Sequence, residues 1–184
     1  MKLVQLSILS MAIGLLTFSC DNDDDTPQVV NEEEVITTLN VTLTPQTGTP
    51  VTLQSQDLDG DGPNAPVVTV SGPLTSDTTY NGVITVLNET VSPAENITEE
   101  VEEEAEEHQF FFSVGGGLEA TTEYTNFDGD QNPLGTEFRI IAGSPSQGTL
   151  TFTLRHEPKK PNDGTLSDAG GETDIAVSFD VTVE

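Results

Sequence analysis

The chain has 184 residues, with five Lys+Arg, 32 Asp+Glu and two His, for a formal net charge of −27. Five cations cannot build a basic patch, which excludes nucleic acid and anionic membrane surfaces as electrostatic partners. A single Cys excludes an internal disulfide and a thiolate-rich zinc site, and 34% hydrophobic content in short alternating runs suits one folded domain with a leader and a linker.

Lys2 and the apolar run Leu3 to Phe18 read as a secretory signal, because about sixteen residues fall short of the ~20 that a spanning helix needs. Ser19-Cys20, with Leu15 and Leu16 just upstream, resembles the lipobox of bacterial lipoproteins, in which the Cys becomes the lipidated mature N-terminus. Thr17 stands where that motif usually carries Leu, and Phe18 is bulky. The resemblance implies that residues 1–19 are removed and that Cys20 carries a diacylglyceryl group with a further acyl chain, a durable anchor. Loss of Lys2 leaves four cations against 32 acids, or −28. Asp21-Asn22-Asp23-Asp24-Asp25 then opens a solvated tether over residues 20–34. Acidic residues behind the lipidated Cys also resemble the surface-export signal of Bacteroidota lipoproteins; the alternative is a plain spacer.

From Val35 the pattern turns to period two. Ile36, Leu39, Val41 and Leu43 are interleaved with Thr37, Thr38, Asn40, Thr42 and Thr44, which predicts a strand. Further strands are predicted at Pro50–Gln54, Val67–Ser71, Thr78–Leu87, Gln109–Val114, Ala120–Phe127, Thr136–Ala142, Gly148–His156 and Ile175–Val183. About nine short strands separated by turn signals predict an all-β domain over residues 35–184, an antiparallel Ig-like β-sandwich. Between Ser92-Pro93 and Glu107, Ile97, Val101 and Ala105 recur every four residues and line a helical face with Ser92 as N-cap. Seven glutamates from Glu99 to Glu107 repel one another on that helix, so a short helix and an extended acidic loop remain open. Lys159–Gly171, rich in Pro, Gly, Asn and Asp, reads as a surface loop.

Three groups of residues suit a cation. Asp57, Asp59 and Asp61, followed by Gly62, repeat the first, third, fifth and sixth positions of an EF-hand loop, a spacing that points alternate oxygens at calcium. Val68 occupies the twelfth position in place of the bidentate Glu, and the same residues suit a hairpin turn. Asp128-Gly129-Asp130-Gln131-Asn132 repeats the spacing more weakly. His108 and His156 each lie where a strand meets acidic sequence, and on a helix Glu104 sits one turn before His108. Two imidazoles and a carboxylate form a borderline-soft donor set suited to zinc or copper; the alternative is two unrelated histidines.

Catalysis is weakly supported, and a hydrolase stands only as a third reading. Gly115-Gly116-Gly117 lacks the Lys-Ser/Thr of a phosphate loop, and paired carboxylates discriminate nothing among 32 acids. Phe110, Phe111 and Phe112 cannot all face one core from a single strand, so one of them is expected at solvent, a partner or the acidic loop. Self-repulsion of the net charge predicts stabilisation by salt or divalent cations.

With Cys20, the tether and the segments Asp57–Gly62, Glu99–Phe112 and Leu154–Pro158 in view, the chain resembles short flavobacterial (Bacteroidota) envelope lipoproteins labelled "type 1 periplasmic binding fold superfamily protein". The label implies ligand capture by a two-lobed α/β receptor, whereas the alternation in this chain implies a single sandwich. The resulting expectation is an outer-membrane, lipid-anchored protein that captures a metal ion or small ligand without catalysis. Asp57, Asp59 and Asp61 are the candidate calcium ligands, and Glu104, His108 and His156 the candidate zinc ligands. The alternative is an Ig-like interaction module that contacts another outer-membrane protein through its Phe-rich strand or acidic loop.

Overall fold

Ten strands and two short helices form within residues 34–60 and 62–184, the described part of a computed structural model. Residues 1–33, which include the expected signal peptide, Cys20 and nearly all of the tether, lie outside the described residues, as does Asp61. The strands are β1 Thr38–Pro45, β2 Val51–Gln56, β3 Val67–Val70, β4 Thr79–Asn88, β5 Glu95–Asn96, β6 His108–Gly115, β7 Ala120–Tyr124, β8 Glu137–Ala142, β9 Ser146–His156 and β10 Glu172–Val183. Helix α1 spans Ile97–Glu103 and α2 spans Leu166–Ala169.

All neighbouring strands pair antiparallel, in two sheets. The larger runs β3-β2-β1-β4-β8-β7, with β5 on β4, and the smaller runs β10-β9-β6. The result is the expected antiparallel sandwich, with the two-residue β5 as the one strand that periodicity had not indicated. Period-two alternation decides which residues enter the core. Leu39, Val41 and Leu43 of β1 meet Phe152, Leu154, Phe179 and Val181 of the smaller sheet in one buried cluster. Phe112, Phe138, Phe152 and Phe179 form a chain of tilted and edge-on rings, 4.6 to 5.9 Å between centroids. Gly82 of β4 lies opposite Phe138, whose ring fills the place a side chain would take.

Helix α1 resolves the open choice for the glutamate-rich segment. Its N-cap is Asn96, not Ser92, because Glu95–Asn96 pairs with β4 first. Ile97 and Val101 are buried and Ala105 packs beside them, so the four-residue spacing outweighs the repulsion on the solvent side. Thr98 ties the first turn down: its hydroxyl accepts from the Val86 N–H and donates to the Val86 carbonyl.

One phenylalanine of β6 leaves the core as expected, but it does not meet solvent. Phe110 and Phe112 face the core, and Phe111, on the opposite side of the strand, is only 3% exposed. The loop after β9 covers that outer side; Asn162 Nδ2 donates to Oε1 of Gln109, which is fully buried. The loop also contains α2, whose N-cap Thr165 accepts from the Asp168 N–H. An interaction surface built on this strand therefore lacks its exposed aromatic.

Candidate metal centre

The inward stripe of β6 and β9 ends in imidazoles. His108 opens β6, His156 closes β9, and the antiparallel register sets them directly opposite each other. Opposite side chains share a face about 5 Å apart. The two rings stack with centroids 4.7 Å apart and an interplanar angle of 18°. His108 is 0% and His156 5% exposed.

Glu34, in the segment leading into β1, joins them. Its Oε1 lies 2.8 Å from His108 Nε2, and its Oε2 lies 3.8 Å from His156 Nδ1. Burial raises the Glu34 carboxyl, but the hydrogen bond from His108 and the charges of both imidazoles outweigh it and hold Glu34 below the usual glutamate range. His108 shifts the other way. Burial disfavours its proton, yet the Glu34 carboxylate and the Glu104 carbonyl, 3.3 Å from Nδ1, outweigh burial and raise it. Acceptors at both ring nitrogens favour the imidazolium form.

Asp174 adjoins the three without joining the set whose ligand atoms lie within 4.8 Å of one another. The β9–β10 ladder changes register between Thr173 and Ile175, and the bulge that results presents Asp174 to the imidazoles. Burial, then the Glu34 charge, pushes its carboxyl up to about 7. While Asp174 keeps its proton, the two carboxyls can share it; as two carboxylates they have no hydrogen between them. In the charged form Glu34 Oε2, His156 Nδ1, Asp174 Oδ1 and Asp174 Oδ2 are buried without a hydrogen-bond partner in the protein. Arg155 Nε is the one other such side-chain atom among the described residues. Four of the five orphaned atoms thus belong to one cluster, and each is a lone-pair donor when the site is deprotonated.

The geometry is close to what a small cation needs. Ligand atoms of Glu34, His108 and His156 lie within 4.8 Å of one another. A tetrahedral ion with bonds of about 2.0–2.1 Å keeps its ligands about 3.3–3.4 Å apart. With Glu34 bound through Oε1, the 2.8 Å contact to His108 must open by about 0.5 Å, and the imidazoles must turn out of their stack to aim both lone pairs at one ion. The Glu104 carbonyl would then hold the proton on His108 Nδ1 and leave Nε2 free to bind.

A buried lysine braces the cluster from behind. Lys160 Nζ donates to the carbonyls of Ala105 and His108, each at 2.6 Å, and to Asp128 Oδ2 at 3.2 Å. Its contact with the His108 backbone fixes where the ring begins. Burial lowers the Lys160 proton affinity, with Asp128 opposing it. Burial raises Asp128, but the N–H groups of Asn132 and the Lys160 ammonium bring it below the usual range.

Not every residue singled out by spacing reaches this site. Glu104 supplies its main-chain carbonyl; its side chain is exposed and lies outside the cluster, and Glu34 provides the carboxylate instead. Asp57 and Asp59 belong to an exposed turn well removed in sequence, where Asp59 Oδ2 accepts from the Asn64 side chain at 2.5 Å; Asp61 lies outside the described residues. The Asn64 bond holds the Asp59 carboxyl below the usual range. Asp128 is a turn residue, accepting from the N–H groups of Asp130 and Asn132 and neutralised by Lys160. Glu34 and Asp174 escaped sequence reasoning. The first is one acid among many at the tether's end, and the second is a single break in phase before the clean alternation that starts at Ile175.

A scan against protein-family models matches none, and searches of curated proteins and of solved structures find no similar protein.

Proposed function

We propose that this protein is a lipid-anchored envelope protein that binds one first-row transition-metal ion of the zinc class, without catalysis. Its ligands are Glu34, His108 and His156, with the Asp174 carboxyl beside them. The observation that carries this reading is the concentration of orphaned, buried lone-pair atoms in one cluster. Charge supports it: two carboxylates and two neutral imidazoles around a dication sum to zero, which offsets the cost of burying each charge alone. Two nitrogens and carboxylate oxygens suit zinc among the common ions. Attachment through Cys20 to the outer membrane rests on its place as the one Cys, directly after the apolar leader.

The test is zinc uptake by the mature protein, extracted in detergent, stripped with a chelator and titrated against a chromophoric competitor. One ion per chain is expected, with His156→Ala and Glu34→Gln each weakening binding by about a hundredfold or more. Equal uptake by wild type and His156→Ala would overturn the reading. The anchor is checked by fractionation: Cys20→Ala should move the protein out of the membrane fraction.

A further inference from the structure

The His156 ring stands between two groups of acids. Nδ1 faces Glu34 Oε2 at 3.8 Å, and on the other side Nε2 lies 3.9 Å from Glu107 Oε2. Glu107 precedes β6 and Glu157 follows β9; the Glu157 N–H donates to the Glu107 carbonyl at 2.7 Å, which fixes the two residues side by side. Glu157 has a φ of 48°, a left-handed conformation that residues with a side chain seldom adopt. That conformation turns the chain sharply as it leaves His156. Glu107, His156 and Glu157 each bring a ligand atom within 4.8 Å of the others. The set runs from solvent to interior: the Glu107 side chain is 60% exposed, the His156 side chain 7%. A buried imidazole thus forms the inner wall of an exposed pair of carboxylates, with Nε2 towards them and Nδ1 towards Glu34.

We propose that Glu107, Glu157 and Nε2 of His156 form an outer cation position that captures the ion from solvent and passes it to the inner centre across the His156 ring. The inference rests on the metal-binding reading of Glu34, His108 and His156. A neutral imidazole offers one lone pair at a time, so the ring serves one position at a time. With its proton on Nδ1, Nε2 binds the ion beside Glu107 and Glu157. Once the ion has left Nε2 for the carboxylates, water takes the Nδ1 proton and returns one to Nε2, and Nδ1 can become the ligand of the inner centre. The ring carries one proton before and after, and the proton that His108 Nε2 gives up on binding goes to solvent. The exposed carboxylates hold a dication weakly and exchange it quickly, whereas the buried donors hold it tightly.

Cobalt(II) provides the readout, because its d–d absorption reports tetrahedral coordination at the inner centre directly. Stopped-flow mixing of cobalt(II) with the detergent-extracted mature protein would compare wild type, Glu107→Gln/Glu157→Gln, and Glu119→Gln/Asp180→Asn. The last removes the same charge from exposed positions away from the rim. The rim variant should load at least about tenfold more slowly with an unchanged final spectrum and one ion per chain, and the control should slow by no more than about twofold. Equal rates for the rim variant and the control would overturn the loading position while leaving the inner centre standing. A changed final spectrum in the rim variant would also overturn it, by placing those carboxylates in the final coordination. Absence of any absorption band with the wild type would overturn both readings.

Discussion

Replacing Lys160 with Met tests how the centre is braced. The side chains of Lys160 and Asp128 are 6% and 1% exposed, and the ammonium holds two carbonyls and one carboxylate at once. Met keeps the volume of the stem and removes all three bonds. Breaking one partner out of a buried ion pair costs about 3–5 kcal/mol, and each orphaned buried acceptor about 1–3 kcal/mol. Asp128 retains the N–H bonds from Asp130 and Asn132, so the total should stay near the pair value, about 3–5 kcal/mol. Lys160→Met/Asp128→Asn also removes the stranded charge and should recover about 1–3 kcal/mol of that loss. Urea unfolding of the two single variants, the double variant and wild type would give the coupling directly. A loss below about 1 kcal/mol in Lys160→Met, or a double variant no more stable than the single, would refute the reasoning. Zinc affinity should fall as well, because the same ammonium grips the His108 carbonyl.

Two further outcomes follow from the centre and the core. The raised carboxyl of Asp174, near 7 against an ordinary 3.8, binds its proton more tightly folded than unfolded, so its contribution is present in acid and lost as pH rises towards 7; the raised His108 behaves the same way above 6.5. Metal-free protein should therefore melt lower at pH 8 than at pH 6, by roughly 1–2 kcal/mol after allowance for solvent screening, and a flat profile, or one that Asp174→Asn leaves unchanged, would count against the assignment. Gly82→Ala should cost about 1–3 kcal/mol in urea unfolding, since the new Cβ would lie 2.4 Å from the Phe138 ring, which Phe112 and Phe152 already hold in place; a variant as stable as wild type would show that the ring can yield.

Alternation made the sandwich legible because each strand carries its own period-two record of which side is buried. Ile175, Val177, Phe179, Val181 and Val183 needed no neighbour to be read, and β10 runs through them. The two histidines were legible as a pair for a different reason: each ended a strand, and strands that pair antiparallel bring the start of one beside the end of the other. Their carboxylate partner was not legible. Glu34 lies 74 positions before His108, and no local pattern separates it from Glu32 or Glu33. Glu104, the nearer acid, was favoured by helical spacing, but the helix ends at Glu103 and directs only the Glu104 carbonyl to the ring. Asp174 required a bulge, which is a property of two strands together. Lys160 sits in a segment whose Pro, Asn and Asp content signals a solvated loop, and its burial depends on three acceptors from three other segments.

The position of Glu34 has a mechanical consequence. The chain passes from this residue into β1, which lies inside the larger sheet with β2 on one side and β4 on the other. Tension applied from the upstream side pulls along the axis of that strand, across hydrogen bonds that stand perpendicular to it. Both ladders then resist together in shear, whereas an outer strand such as β3 or β7 would peel away rung by rung. A body suspended by that thread would meet drag at its strongest seam, and an ion clamped between Glu34 and the opposite sheet would act as a rivet ahead of the first rung.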